Sequence, residues 1–249
     1  MSEDPASGSF ADFLARGDNA QEFQKAFVAA YKKMHGSTGG GPYNIDSVAY
    51  MATAIECYYY AREHMEGKPR FANRLELLKF AIKQMTVDGL ILEFGVFSGN
   101  TINLIADQLP NGQIFGFDSF KGLPETWTPG TQAGHFARQS LPEVRKNVEL
   151  VVGWFDRTLP SFLDAHPEKV SLLHIDCDLY SSTQTVLIQL SDRIVPGTII
   201  VFDEYFNYVA GWRRHEFQAF QEFVKYRRMK YEYIGLVPNK QQVAVRILP

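Results

Sequence analysis

The chain has 249 residues, is 45% hydrophobic and 21% charged, and carries a formal net charge of −3. A chain of that size and composition can bury a sizeable core without covalent staples. The mild negative balance excludes the strongly basic surface that nucleic acid or an anionic membrane would attract, so neither is an expected partner. Cys57 and Cys177 lack the spacing of a zinc site or a disulfide framework, which points to a reducing cytoplasm. The opening MSEDPASGSFADF is too acidic and polar for a signal peptide. No apolar run reaches the roughly 18 residues of a membrane span.

Within residues 1–45, Phe23, Phe27, Ala30 and Tyr31 recur at helical spacing, and a glycine-rich loop, HGSTGGGPYN, follows. Asp46 is placed to cap a second helix, SVAYMATAIECYYYAREHM. Beyond Pro69, RFANRLELLKFAIKQM predicts a third helix with Leu75, Leu78, Ile82 and Met85 as its apolar stripe. After Met85 the pattern changes. GLILEFGV, QIFGFDSF, VELVVGWF, VSLLHIDCD and GTIIVFDEY read as buried strands. NTINLIADQL, RQSLPEVRKN, PSFLDAHP and SSTQTVLIQLSDRI read as the helical segments between them. HEFQAFQEFVKYRRM is a last helix, and YEYIGLV and QQVAVRIL, joined by PNK, form an antiparallel hairpin at one edge. The alternation predicts an α/β fold, a mostly parallel seven-stranded sheet covered on both faces. A helical N-terminal extension, 1–85, precedes the sheet domain, 86–249.

In such sheets ligands bind beyond the carboxyl ends of the strands. Asp176 and Asp178 in HIDCD, and Asp203 and Glu204 in VFDEYF, stand at two such ends. Paired strands lie about 5 Å apart, so neighbouring ends would bring these carboxylates together. Crowded like charges raise one another's pKa, and a divalent cation relieves the repulsion. Oxygen ligands suit magnesium, calcium or manganese rather than zinc. Helix capping is the competing reading, with Asp178 close to a helix at Ser181. Extended alternation would put Asp176 and Asp178 on one face and Cys177 on the other. His174, inside the strand, is expected to pack or hydrogen-bond in the core. In LEFGVFSGNT, Gly95 and Gly99 permit a tight turn between strand and helix. The third glycine of a dinucleotide fingerprint and the lysine of a P-loop are missing. Glu93 would repel phosphate and welcome a positive centre, while Asp118, ending the next strand, can accept from a ribose hydroxyl pair. Together these favour a nucleoside ligand with a positive centre.

EFGVFSG, GFDSFKGLP, GWFDRTLP, HIDCDLYSST and FDEY, in that order between Leu92 and Arg214, together resemble the macrocin O-methyltransferase family (TylF/MycF/NovP-like). The resemblance implies a class I, Rossmann-like methyltransferase fold and transfer of a methyl group from S-adenosylmethionine to a hydroxyl of a small molecule, often a sugar or glycoside. It places Glu93, Gly95, Ser98, Gly99, Asp118 and Ser119 on the cofactor, with Asp118 holding the ribose. It makes Asp176, Asp203 and Glu204 ligands of Mg2+ (Mn2+ as a substitute) and Asp178 the general base. The family often has two aspartates where this chain has Asp203 and Glu204. A homodimer or higher homo-oligomer is also implied.

Three rival readings remain. A glycosyltransferase could use Asp176 and Asp178 as a manganese-binding D-x-D, but has no need of E-F-G-x-F-x-G. A nicotinamide dehydrogenase lacks its third glycine here. A degenerate binding module would not require the carboxylate set. The loop over 126–137 is expected to cover the cofactor or acceptor, with His135 in solvent. Tyr58, Tyr59, Tyr60, Trp212 and Phe217 read as core or subunit interface. Arg213, Arg214, Arg227 and Arg228 read as solvated helix faces.

Overall fold

The computed structural model describes residues 44–209 and 211–249, together with Ala29. The helix expected around Phe23 to Tyr31, and nearly all of the glycine-rich loop after it, lie outside the described residues. The chain divides into two compact units, 1–63 and 64–249. No described helix is long and apolar enough to cross a membrane.

Nearly all of α1 (Ile45–His64) belongs to the first unit. Its cap is Asn44, not Asp46: Asn44 Oδ1 accepts from the backbone N–H groups of Asp46 and Ser47 at 3.0 and 3.2 Å. Asp46 instead sits in the first turn, where its charge meets the positive end of the helix dipole. The three tyrosines divide, Tyr60 being buried and Tyr58 exposed.

In the second unit, α2 (Arg74–Lys83) is capped by Asn73, which accepts from the Glu76 N–H. That start sets the phase of the helix. Its buried stripe is Leu77, Leu78, Ala81 and Ile82, while Leu75, expected in the core, is 39% exposed. There follow β1 (Leu90–Phe94), α3 (Asn100–Gln108), β2 (Ile114–Asp118) and β3 (Val148–Val152). Next come α4 (Phe155–Ala165), β4 (Val170–Ile175), α5 (Tyr180–Gln189) and β5 (Ile199–Phe202). A short 3₁₀ turn (Trp212–Arg214), α6 (Glu216–Arg227), β6 (Lys230–Leu236) and β7 (Val243–Leu248) complete the chain.

The seven strands form one sheet in the order β3-β2-β1-β4-β5-β7-β6. The first five are parallel, and β7 runs antiparallel between β5 and β6. The terminal hairpin is therefore present as expected. β1, β4 and β5 are buried at every position, the pattern of strands covered on both faces. One core cluster joins Leu77, Leu78 and Ile82 of α2 to Ile91, Ile102, Leu172 and Val201. A second set is aromatic, with Phe94 stacked on Phe117 at 4.6 Å and Phe117 edge-on to Phe162 at 5.0 Å.

RQSLPEVRKN is not helical. The Asn103 amide donates to the Glu143 carbonyl and its oxygen accepts from the Arg145 N–H, both at 2.9 Å. The Arg145 guanidinium grips both oxygens of Asp107 at 2.7 and 2.9 Å. Side chains of α3 thus take backbone groups that a helix would have used, and Pro142 has no N–H to offer.

The strand order reverses between β1 and β4, whose ends pair as Phe94 with Ile175. Such a switch point opens a crevice beyond the strands. Gly95 makes it passable. Its φ is +94°, and a Cβ there would lie 1.7 Å from the Asp176 carbonyl oxygen. Gly95→Ala should therefore lower stability by at least about 1–3 kcal/mol, the usual cost of a strained backbone position alone. An unchanged thermal midpoint would mean that β4 has room to move aside.

Candidate active site

A cavity of about 690 Å³ opens at the carboxyl ends of the parallel strands. On one side it is lined by the turn after β1, including Gly95 and Ser98, and by Asp118 and Ser119. Asp118 organises that side. Its Oδ2 accepts from the N–H groups of Val96 and Phe97 at 3.0 and 2.9 Å, and its Oδ1 from Phe120 at 2.7 Å. An ionised carboxylate has about four acceptor positions, so capacity remains on the cavity side.

Gly99 and Glu93 are placed differently from the other four residues expected on the cofactor. Gly99, with φ +82°, precedes α3 but does not line the cavity; a Cβ there would meet Pro142 at 3.2 Å. Glu93 is wholly buried beneath the turn and does not line the cavity either. It accepts from the Thr101 hydroxyl at 3.1 Å, and its other oxygen lies 2.8 Å from His174 Nδ1. Burial pulls the His174 pKa down, but the hydrogen bond and charge of Glu93 outweigh it and leave the ring above its ordinary value. His174 is thus buried and hydrogen-bonded, as its place in the strand suggested.

The opposite wall carries Asp176, Asp178, Asp203 and Glu204. The alternation expected across Asp176 to Asp178 is absent. Residue pairing of β4 with β1 and β5 ends at Ile175, and the last ladder bond is the Asp176 N–H to the Phe94 carbonyl, so Cys177 and Asp178 are free of the sheet. Leu179 N–H donates to the Cys177 carbonyl at 2.6 Å, and Asp178 adopts φ +61°, a left-handed conformation. That tight turn brings Asp176, Cys177 and Asp178 all to the cavity wall. Asp178 does not cap α5, which starts after Leu179 without a side-chain cap.

Asp203 is held from two sides. Its Oδ2 accepts from Arg74 Nη1 at 3.1 Å and from the Gln242 amide at 3.2 Å. Its Oδ1 is buried with no hydrogen-bond partner, 4.0 Å from His174 Nε2. The Glu204 N–H donates to Glu216 Oε2 at 3.0 Å, while Glu204 Oε2 is buried without a partner. Burial, then the charge of Asp203, raise Asp176 well above the usual carboxylate range. The same two causes push Asp178 up to about 7. Glu204 rises well above its ordinary value through burial and Asp203, and Glu216 through burial and Asp178.

Potential ligand atoms of His174, Asp176 and Asp203 lie within 4.8 Å of one another. Glu204 stands outside that group, on the same wall. An oxygen-rich pocket with unpartnered carboxylate oxygens fits a hard divalent cation. His174 has already committed Nδ1 to Glu93.

Several residues at the cavity escaped the sequence reading. Trp154, Phe155 and Asp156 line it directly after β3, where the strand-end rule could have found them. Trp127 and Phe136 bring the 126–137 loop to the cavity as expected, and His135 is exposed. Arg74 lines it from the start of a helix, and Glu216 of α6 is buried behind Glu204 without lining it; neither position carries a local signal.

The family described as Macrocin-O-methyltransferase (TylF) matches residues 58–232. An 8-demethyl-8-(2,3-dimethoxy-alpha-L-rhamnosyl)-tetracenomycin-C 4'-O-methyltransferase of Streptomyces olivaceus is 28% identical over 159 residues, 53% of this chain and 60% of that one. A demethyldecarbamoylnovobiocin O-methyltransferase of Streptomyces niveus matches at 28% over the same shares of the two chains. The match thus spans about 60% of the length of these relatives. Among solved structures, a calicheamicin methyltransferase shares the fold at a TM-score of 0.57 and 22% identity, over 84% of this chain and 98% of that one. The O-methyltransferase NovP does so at 0.55 and 19%, over 82% and 98%.

The burial of Glu93 yields a test. Glu93→Ala would leave His174 and Thr101 facing each other in the core without their shared acceptor. Removing one partner of a buried pair costs about 3–5 kcal/mol, so the denaturant midpoint of the ligand-free protein should fall accordingly. Wild-type stability in that variant would show that Glu93 serves a ligand and not the core.

Proposed function

Since the chain belongs to the macrocin-O-methyltransferase (TylF) family, we propose that it methylates a hydroxyl of a glycosylated small molecule, using S-adenosylmethionine and a divalent cation, most suitably Mg2+. One observation carries this reading: acids from two adjacent strand ends meet across a single cavity from the turn organised by Asp118. The names of the relatives, one of them acting on a rhamnosyl tetracenomycin, support a sugar or glycoside as acceptor.

S-adenosylmethionine, when bound, supplies a methyl group on a positively charged sulfur. The turn from Gly95 to Ser98 and the Asp118 carboxylate are proposed to receive its nucleoside, with Ser119 beside them. A wall of carboxylates favours the positive sulfur over a phosphate. Asp176, Asp203 and Glu204 are proposed to hold the cation, the unpartnered buried oxygens of Asp203 and Glu204 being donors that need one. Magnesium, when bound, lowers the pKa of a hydroxyl that would otherwise resemble that of water, about 15.7. Asp178, on the same wall, would take the hydroxyl proton; the cofactor would supply the methyl carbon, whose bond to sulfur breaks as its bond to the acceptor oxygen forms, leaving a neutral thioether. Holding both reactants in one cavity supplies much of the acceleration. Trp127, Phe136 and Trp154 offer apolar faces to the two ligands.

Methyl transfer to a panel of glycosides and phenols, followed by mass, should require magnesium or manganese and stop on chelation. Full turnover after exhaustive chelation would return Asp176 and Asp203 to structural roles. The two aspartates of the HIDCD turn should then separate. Asp178→Asn should keep metal and cofactor affinity but slow the reaction by about 10²–10⁴, the usual worth of a general base. Asp176→Asn should weaken metal binding and be rescued in part by high magnesium. Rescue of the Asp178 variant instead would exchange the two roles.

A further inference from the structure

We propose that Arg74 is a built-in rival of the divalent cation: its guanidinium bridges Asp176 and Asp203 and must leave when an ion takes the space between them. The inference rests on the metal reading above and adds a residue which that reading does not use. Arg74 Nη1 lies 3.1 Å from Asp203 Oδ2 and 3.6 Å from Asp176 Oδ2. One nitrogen therefore touches both carboxylates. A magnesium ion draws its oxygen ligands in to about 2.0–2.1 Å, so an ion between those two oxygens and the nitrogen cannot share the space.

The conflict cannot be relieved by proton loss, because a guanidinium stays charged throughout the working pH range. Among the described residues, the other cationic group near Asp203 is His174, and its Nδ1 is engaged by Glu93. Arg74 also has somewhere to go. It is the first residue of α2, its side chain is 42% exposed, and Asn73 caps the helix independently of it. The side chain can swing into water while the helix stays in place. Arg74 thus holds the two carboxylates together in the absence of an ion and weakens the binding of any ion that displaces it.

Manganese binding, measured by calorimetry on the full chain without substrate, tests this in wild type, Arg74→Gln and Arg74→Lys. The glutamine variant should bind manganese about fivefold more tightly, the scale of a partly exposed ion pair removed from competition. In chelator it should unfold at a lower temperature than wild type, and saturating manganese should raise its midpoint by more than it raises that of wild type. The lysine variant keeps the charge but loses the fork, so its affinity should fall between the two; it decides the question if the glutamine variant does not fold. Equal or weaker manganese affinity in the variants overturns the rivalry and leaves the metal site standing. If no form binds manganese, the metal reading fails and the rivalry falls with it. Binding by the variants alone is the rivalry at its strongest.

Discussion

The repulsion among buried carboxylates at one end of the sheet is the constraint on which this site depends. Burial raises Asp176, Asp178, Glu204 and Glu216 there, and the charge of a neighbouring carboxylate pushes each further. Water would screen such charges, but Asp178, Asp203, Glu204 and Glu216 are buried, and only Asp176 keeps a side chain as much as 24% exposed. The protein answers with few positive groups. Arg74 bridges two of the acids, and His174 stands behind them, tied to Glu93. Oxygens of Asp203 and Glu204 are left without hydrogen-bond partners. A core built for stability alone would not keep such groups, since apolar residues of similar size often serve better. The arrangement is explicable as one that anticipates a cation.

Register brings the acids together. Phe94 pairs with Ile175, and Ile175 with Phe202, so β1, β4 and β5 end at one level. The next residue on each strand is Gly95, Asp176 or Asp203. The Asp176 N–H still donates to Phe94 O, and the Asp203 N–H to Ile175 O, both at 2.9 Å. The ladder thus fixes the first residue beyond each strand and releases the second. Asp176 and Asp203 inherit the rigidity of the sheet, whereas Asp178 depends on its own turn. That difference matches the division proposed between residues that hold an ion and a residue that moves a proton.

The parallel sheet could be read from the sequence because buried strands and amphipathic helices announce themselves by period and by glycine. The gathering of Asp176, Asp178, Asp203 and Glu204 was readable from two hydrophobic runs that each end in acids. The conformation of Asp178 was not, since alternation holds only where neighbouring strands keep the backbone extended. RQSLPEVRKN has helical composition, yet Asn103 and Asp107 on α3 hold it in a non-helical path. Glu93 shows the same limit: its position at a strand end suggested a ligand, but its side chain turns inward to His174. Arg74 reaches the site from a helix about a hundred residues before the acids it touches, and only tertiary packing brings it there.

The inward turn of Glu93 gives the site a second layer. Thr101 lies in the first turn of α3, Glu93 on β1, His174 on β4, and Asp203 follows β5. Contacts of 3.1 and 2.8 Å, and an approach of 4.0 Å between His174 Nε2 and Asp203 Oδ1, link them across three adjacent strands. The line runs beneath the cavity from the helix that follows the proposed cofactor turn to the acid proposed to bind the ion. With Nδ1 committed to Glu93, the imidazole presents its other nitrogen to the unpartnered oxygen of Asp203. The Asp203 carboxylate is itself held through its other oxygen, by Arg74 and Gln242. The same buried residues thus lie beneath both halves of the cavity. That suits a reaction in which a hydroxyl oxygen and a methyl carbon must meet in line.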